Sequence, residues 1–263
     1  MSNATKGPKA LVLQAPGTNC DLESRDALRR AGADAELVPV QDLFAEPERL
    51  LRARILMFPG GFAHGDDIAS ARILANQCRL RLGDSLLRFV DQEGGYVLGI
   101  CNGFQALVKM GLLPRTGGGP LRQQATLTHN DSGHYECRWV RLKIEQGNCA
   151  FLPEGEVFEL PIGHGEGKFI PGPDLPEDGG SYTALRYVDD EGNPTQSFPA
   201  NPNGSLAAIA GMCDETGRVL GMMPHPDRAY LPPHHPLWPS PEAPSDPSGA
   251  RFFRLLVEAA AKP

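Results

Sequence analysis

YVLGICNGFQALVKMGLL, residues 96–113, begins as an apolar run too short for a helix and continues as a helical pattern that Pro114 stops. Tyr96 to Ile100 reads as a buried strand and Asn102 to Leu113 as a helix, with only Cys101 between them. A strand passing directly into a helix is the repeating unit of α/β folds, in which helices cover both faces of a parallel sheet. Glycines at 99 and 103 keep the turn clear of side chains on either side of the cysteine.

The same unit recurs toward the N-terminus. ALVLQ (10–14) is a strand closed by Pro16-Gly17, and 20–32 carries apolar residues at helical spacing up to Gly32. AELVPV (35–40) and ARILMF (53–58) are further strands, the second running into Pro59-Gly60-Gly61. Asp66 to Leu82 reads as a helix, and SLLRFVDQEGG (85–95) ends at a glycine pair. Beyond Pro114 the helices disappear: ATLTHN (125–130), YECRWVRLKI (135–144) and EVFELPI (156–162) predict an antiparallel excursion joined to the main sheet. Residues 205–224 read as two strands around a turn at Asp214 to Gly217, the second ending at Pro224-His225-Pro226. Seven prolines between Leu231 and Pro247 exclude a helix or central strand there, and 249–261 is a closing amphipathic helix. The expected architecture is one α/β domain over 1–263, doubly wound, with a mostly parallel sheet and an antiparallel excursion. Residues 1–8 are expected to be disordered or an expression scar, and 231–247 a proline-rich extension.

A chain of 263 residues can bury a substantial core. No apolar run approaches the ~20 residues a bilayer span needs, and MSNATKGPK lacks the apolar stretch of a secretory signal, so a soluble protein without membrane partners is expected. A net charge of −7 argues against binding nucleic acid through phosphate neutralisation. The six cysteines are scattered singly without a CxxC pair, which suits free thiols in a reducing cytoplasm. Neither GxxxxGK[ST] nor GxGxxG occurs, so no nucleotide hydrolysis or dinucleotide binding is expected on this chain.

Cys101 occupies a nucleophile-elbow position, where a sharp turn exposes the side chain above the sheet edge and a helix N-terminus favours thiolate. Taken alone it also reads as a buried small hydrophobe. His225, between two prolines at a strand end, is a candidate base, with Asp227 as the carboxylate orienting its ring; a surface histidine in a proline turn is the plainer alternative. Distance along the chain is no obstacle, because parallel sheets gather distant strand ends at one edge. Gly60-Gly61 can present backbone N–H groups and, with the N–H of Asn102, form an oxyanion hole, although Pro-Gly-Gly alone can be only a turn.

Six segments in order carry a resemblance: Pro16-Gly-Thr-Asn-Cys-Asp21, Pro59-Gly-Gly-Phe-Ala-His-Gly-Asp66, Gly99-Ile-Cys-Asn-Gly-Phe-Gln105, Pro161-Ile-Gly-His-Gly-Glu-Gly167, Asn201-Pro-Asn-Gly-Ser205 and Gly221-Met-Met-Pro-His-Pro-Asp-Arg228. Together they resemble the class I glutamine amidotransferases, and among these the glutaminase subunits of phosphoribosylformylglycinamidine synthase. The resemblance implies a flavodoxin-like sheet on which Cys101 attacks the side-chain amide of L-glutamine, His225 passes a proton to the departing ammonia, and water hydrolyses a γ-glutamyl thioester. It also implies that Gln105 helps hold glutamine, and that Gly61 and Asn102 bind the oxyanion. No cofactor or metal is implied on this chain: ATP and Mg belong to the large synthetase subunit, which takes the ammonia, with a small bridging subunit completing the assembly. One departure is His225-Pro226-Asp227 where the family has His-Pro-Glu, a carboxylate shorter by one methylene. Activity is expected to survive it. A stand-alone cysteine hydrolase on the same fold, or an inert assembly subunit, are the alternatives.

Several other residues invite a functional reading. Cys20 has no predicted partner and is expected to pack or support its loop. His129, His134 and Cys137 fit no zinc spacing with a fourth ligand. His164 and Glu166 are expected to line an ammonia exit or a partner interface, with a structural glycine loop as the alternative. Trp238 fits an apolar anchor on the proline-rich segment, which either faces a partner or crosses this domain's own surface.

Overall fold

The computed structural model describes residues 7–262. The chain order is β1 (Lys9–Gln14), α1 (Asp21–Arg30), β2 (Asp34–Pro39), α2 (Val40–Ala45), β3 (Ile55–Phe58), α3 (Arg72–Asp91), β4 (Tyr96–Ile100), α4 (Asn102–Met110), β5 (Ala125–Thr128), β6 (Glu136–Ile144), β7 (Val157–His164), β8 (Lys168–Pro171), β9 (Thr183–Val188), β10 (Ile209–Cys213), β11 (Val219–Met222) and α5 (Ser248–Ala260). Nine strands form one sheet in the order β2-β1-β3-β4-β11-β10-β9-β6-β7. From β2 to β11 neighbouring strands run parallel. From β11 onward the pairs are antiparallel. The parallel strands β3, β4 and β11 are buried along their whole length, as strands covered on both faces must be.

This is the doubly wound, mostly parallel architecture with an antiparallel excursion that the pattern predicts. Several details differ, and α2, β8 and β9 have no counterpart in the sequence pattern. The helix expected from Asp66 starts at Arg72, because Asp66 Oδ1 accepts the Ala71 N–H at 2.9 Å while Asp66, Ile68 and Ala71 hold positive φ, and it runs through Gly83 to Asp91. ATLTHN does not join the main sheet: β5 pairs with β8 in a separate two-stranded sheet. Of the expected disordered leader, residues 1–6 lie outside the described residues, but Pro8 is in place, its carbonyl accepting the Asp34 N–H at 3.0 Å.

The proline-rich stretch 231–247 crosses the protein's own surface over β6 and β7. His235 is buried there, its ring 5.0 Å from that of Trp139 and its Nε2 3.6 Å from Glu159. Trp238 remains half exposed. α5 then packs its apolar stripe, including Phe252, Phe253 and Leu256, into the core.

Candidate active site

Three parallel strands end side by side at one edge, and each delivers part of the site. β4 ends in Cys101, whose backbone (φ 51, ψ −107) makes the sharp turn from strand to helix. An L-residue in such a conformation costs about 1–3 kcal/mol and persists only where the surroundings impose it. Here they do: the Cys101 N–H donates to Met222 O of β11 at 2.8 Å and its carbonyl starts α4 by accepting from Gln105 N at 3.0 Å. The thiol is almost fully buried, 3.7 Å from Gly163 O.

β11 runs parallel to β4 with Met222 opposite Ile100, so the chain leaving it brings His225 to the same edge. The His225 N–H is fixed to Pro161 O at 2.8 Å. Nδ1 of its ring lies 3.0 Å from Asp227 Oδ1, and Nε2 is left for the thiol. Burial alone would push this imidazole down, but the charges of Asp227 and of a Cys101 thiolate outweigh it and hold His225 well above the ordinary histidine range. The arrangement therefore favours a charged imidazole beside the sulfur, placed to give a proton to a leaving group. The shorter carboxylate of Asp227 does reach the ring.

β3 supplies the third part. After Phe58 the chain turns through Pro59-Gly60-Gly61, and a Cβ on Gly60 would sit 2.7 Å from His225 Cε1 and 3.5 Å from Cys101 Cβ, so only glycine fits between them. Gly61 holds φ +140 and lines the same cleft as Cys101. Asn102 is the first residue of α4, so its N–H is one the helix leaves unspent. Its side chain clamps the loop that carries Gly61: Oδ1 accepts from Ala63 N at 3.0 Å, and Nδ2 donates to Asp66 Oδ1 at 2.8 Å and to Gln105 Oε1 at 3.0 Å. Gln105 in turn donates to Glu166 O at 2.6 Å, pinning the far wall of the cleft.

The cleft has a volume of about 260 Å³ and is lined by Gly61, Cys101, Gln105, Tyr135, His164 and Glu166, among others. His164 and Glu166 thus sit at the nucleophile. Asn203 Nδ2 lies 3.0 Å from His164 Nε2 and 3.1 Å from Tyr187 OH, so the Asn201–Ser205 segment buttresses the cleft from behind. Burial, together with the charge of His225, pushes His164 down from 6.5 to about 3, so it is a neutral ring. Because an unfolded histidine takes up a proton near 6.5 and the folded one resists until about 3, His164 contributes stability above the first value that is lost as pH falls toward the second. Thermal melting followed from pH 7 to pH 4 is expected to decline less steeply in His164→Gln than in the parent; equal slopes would contradict this.

Cys20 packs and supports its loop as expected, but it does have a partner. It is not isolated: Arg228 Nη2 donates to its sulfur at 2.9 Å, and its ligand atom lies within 4.8 Å of those of His225 and Asp227. β1 is the parallel neighbour of β3, so the turn that follows β1 opens onto the catalytic edge. Burial pushes this thiol up, against the opposing influence of His225 and Arg228, which marks a packed hydrogen-bonding thiol rather than a second nucleophile. Among the described residues this trio is also the only gathering of metal-ligand atoms; Arg228 donates to the Cys20 sulfur and His225 Nδ1 pairs with Asp227, and His129, His134 and Cys137 form no such group. Sequence reasoning also passed over Asp66, Asn203 and Arg228 as individuals. Each lay inside a quoted segment; for Asp66 and Asn203 a flanking glycine or proline was the available signal, and Arg228 had none.

The chain matches the CobB/CobQ-like glutamine amidotransferase domain family over residues 7–258. It is 43% identical over 253 residues to the phosphoribosylformylglycinamidine synthase subunit PurQ of Dehalococcoides mccartyi, covering 95% of this chain and 96% of that protein. The chain belongs to the PurQ family. The PurQ of Methanococcus maripaludis is 41% identical over 233 residues, covering 84% of this chain and 82% of the relative. Among solved structures, PurLQS from Thermotoga maritima matches with a TM-score of 0.72 and 28% identity, over 96% of this chain and 98% of the matched one. PurQ membership places the chain among class I glutamine amidotransferases with a flavodoxin-like sheet, as the six segments implied. No helix among the described residues is long and apolar enough to cross a membrane.

Proposed function

We propose that this single-domain chain is the glutaminase subunit of phosphoribosylformylglycinamidine synthase, acting in the cytoplasm. It hydrolyses L-glutamine and hands ammonia to the large synthetase subunit, which converts formylglycinamide ribonucleotide to its amidine in purine biosynthesis, with a small subunit bridging the two. ATP and Mg serve that partner, and this chain needs no cofactor of its own. The observation that carries the reading is the convergence of Cys101, the His225–Asp227 pair and the Gly60-Gly61 turn at three adjacent parallel strand ends.

The chemistry follows from that placement. The Cys101 thiolate adds to the amide carbon of glutamine, and the electron pair displaced onto oxygen is met by the N–H groups of Gly61 and Asn102. His225, as imidazolium, gives its proton to the amide nitrogen as the C–N bond breaks, leaving ammonia and a γ-glutamyl thioester. The neutral ring then takes a proton from water as it attacks the thioester, and returns it to the sulfur as glutamate departs. Asp227 holds the ring with Nε2 toward the sulfur and stabilises its charged form. Gln105 and Glu166 shape the cleft around the substrate's amino-acid end.

The test is glutamate release from glutamine, with and without the synthetase partner charged with ATP and formylglycinamide ribonucleotide. Turnover that rises with the charged partner is the expected result. Equal turnover in both conditions would favour a stand-alone hydrolase, and failure of a glutamine-like electrophile to acylate Cys101 would favour an inert assembly role.

A further inference from the structure

The segment Pro16–Asp21 and the helix it leads into have so far no chemical role, yet they touch the site twice. Asn19 N and Cys20 N both donate to Gly60 O, at 3.4 and 3.2 Å, and Phe62 N donates to Gly17 O at 3.0 Å, so this strap holds the loop that carries Gly61. One turn later, Ser24 Oγ donates to Asp227 Oδ2 at 2.9 Å. The other oxygen, Oδ1, is the one beside His225 Nδ1. Ser24 and Asp227 are both fully buried.

Ser24 lies with Ala27 and Leu28 on the buried stripe of α1. A hydroxyl on such a stripe ordinarily satisfies itself on a carbonyl of the preceding turn. Here it reaches across to a carboxylate distant in sequence. An aspartate needs that help, because rotation about its terminal bond is broad rather than held in a staggered well. With one oxygen on His225 and nothing on the other, a buried carboxylate would keep an unsatisfied acceptor and an unfixed plane. We infer that Ser24 is a positioning residue of the catalytic relay, its hydroxyl fixing the carboxylate plane of Asp227 so that Oδ1 meets the ring of His225. Ser24 has this role only if Asp227 is the carboxylate of the Cys101–His225 set, as proposed above.

Glutamate release by the complex with the synthetase partner tests it, using Ser24→Ala, Asp227→Ala and the double variant. Ser24→Ala is expected to lower kcat about tenfold and leave KM for glutamine within about twofold, since one hydrogen bond to a charged group is lost while the substrate cleft is untouched. Asp227→Ala is expected to lower kcat on the order of a hundredfold, and the double variant to be no slower, because without the carboxylate the hydroxyl has nothing to position. Ser24→Thr, which keeps the hydroxyl, is expected to recover most of the rate. The inference is overturned if Ser24→Ala retains full kcat while Asp227→Ala is impaired, or if the two losses multiply in the double variant. Full activity of Asp227→Ala beside a dead Cys101→Ala would overturn the role of Asp227 itself, and that of Ser24 with it.

Discussion

Cys101→Ala is expected to lower glutamate release by on the order of 10⁴-fold or more, because nucleophile and base act as one unit and neither works alone. The loss should be confined to chemistry. Alanine is smaller than cysteine and removes only the sulfur, and the backbone bonds that fix the turn, Cys101 N to Met222 O and Gln105 N to Cys101 O, do not involve the side chain. The variant should therefore fold, melt near the parent temperature and still assemble with the synthetase. Supplied with ammonia in place of glutamine, that complex should still make the amidine. Loss of the ammonia-dependent reaction as well would mean that residue 101 matters to assembly, and residual glutamine turnover near the parent level would remove Cys101 from the mechanism.

Gly103→Ala is expected to damage both packing and catalysis. Its Cβ would stand 1.9 Å from Phe58 O and 2.6 Å from Phe58 C, so α4 and β3 could not keep their present separation. The obstacle is backbone, which cannot rotate away as a side chain might. Overpacking of this kind costs about 1–3 kcal/mol or more, which lowers the melting temperature of a domain this size by several degrees, about 2–4 °C per kcal/mol. The catalytic consequence is larger, because the displaced elements carry the N–H of Asn102 and the Gly60-Gly61 turn. Misplacing an oxyanion donor by about 1 Å can lower the rate on the order of a hundredfold. Activity and thermal melting measured on one preparation check both; parent-like values for either would show that the interface between α4 and β3 yields more readily than its packing implies.

The fold was legible because its units are local. A short apolar run followed by a helical stripe is written into consecutive residues at β4 and α4, and the turn at Asp214 to Gly217 into the hairpin of β10 and β11. What escaped depended on contacts that no periodic pattern marks. The start of α3 is set by Asp66 reaching forward to Ala71, and the isolation of β5 by its pairing with β8. At the site the nucleophile, base and oxyanion donors announce themselves by the residues flanking them. Their supports do not: nothing beside Cys20 in sequence points to Arg228, and nothing beside Ser24 points to Asp227 except that a hydroxyl on an apolar stripe requires a partner.

The backbone at Cys101 also restricts which residue can stand there. With φ at 51 the position disfavours β-branched side chains, so threonine adds strain before its hydroxyl chemistry is considered, while serine and alanine are admitted with the same strain as cysteine. The elbow therefore works as a filter on mutation, leaving a thiol, a hydroxyl or nothing as its practical alphabet. New reactivity on this scaffold would arise more readily from exchanges among the cleft residues than from position 101 itself.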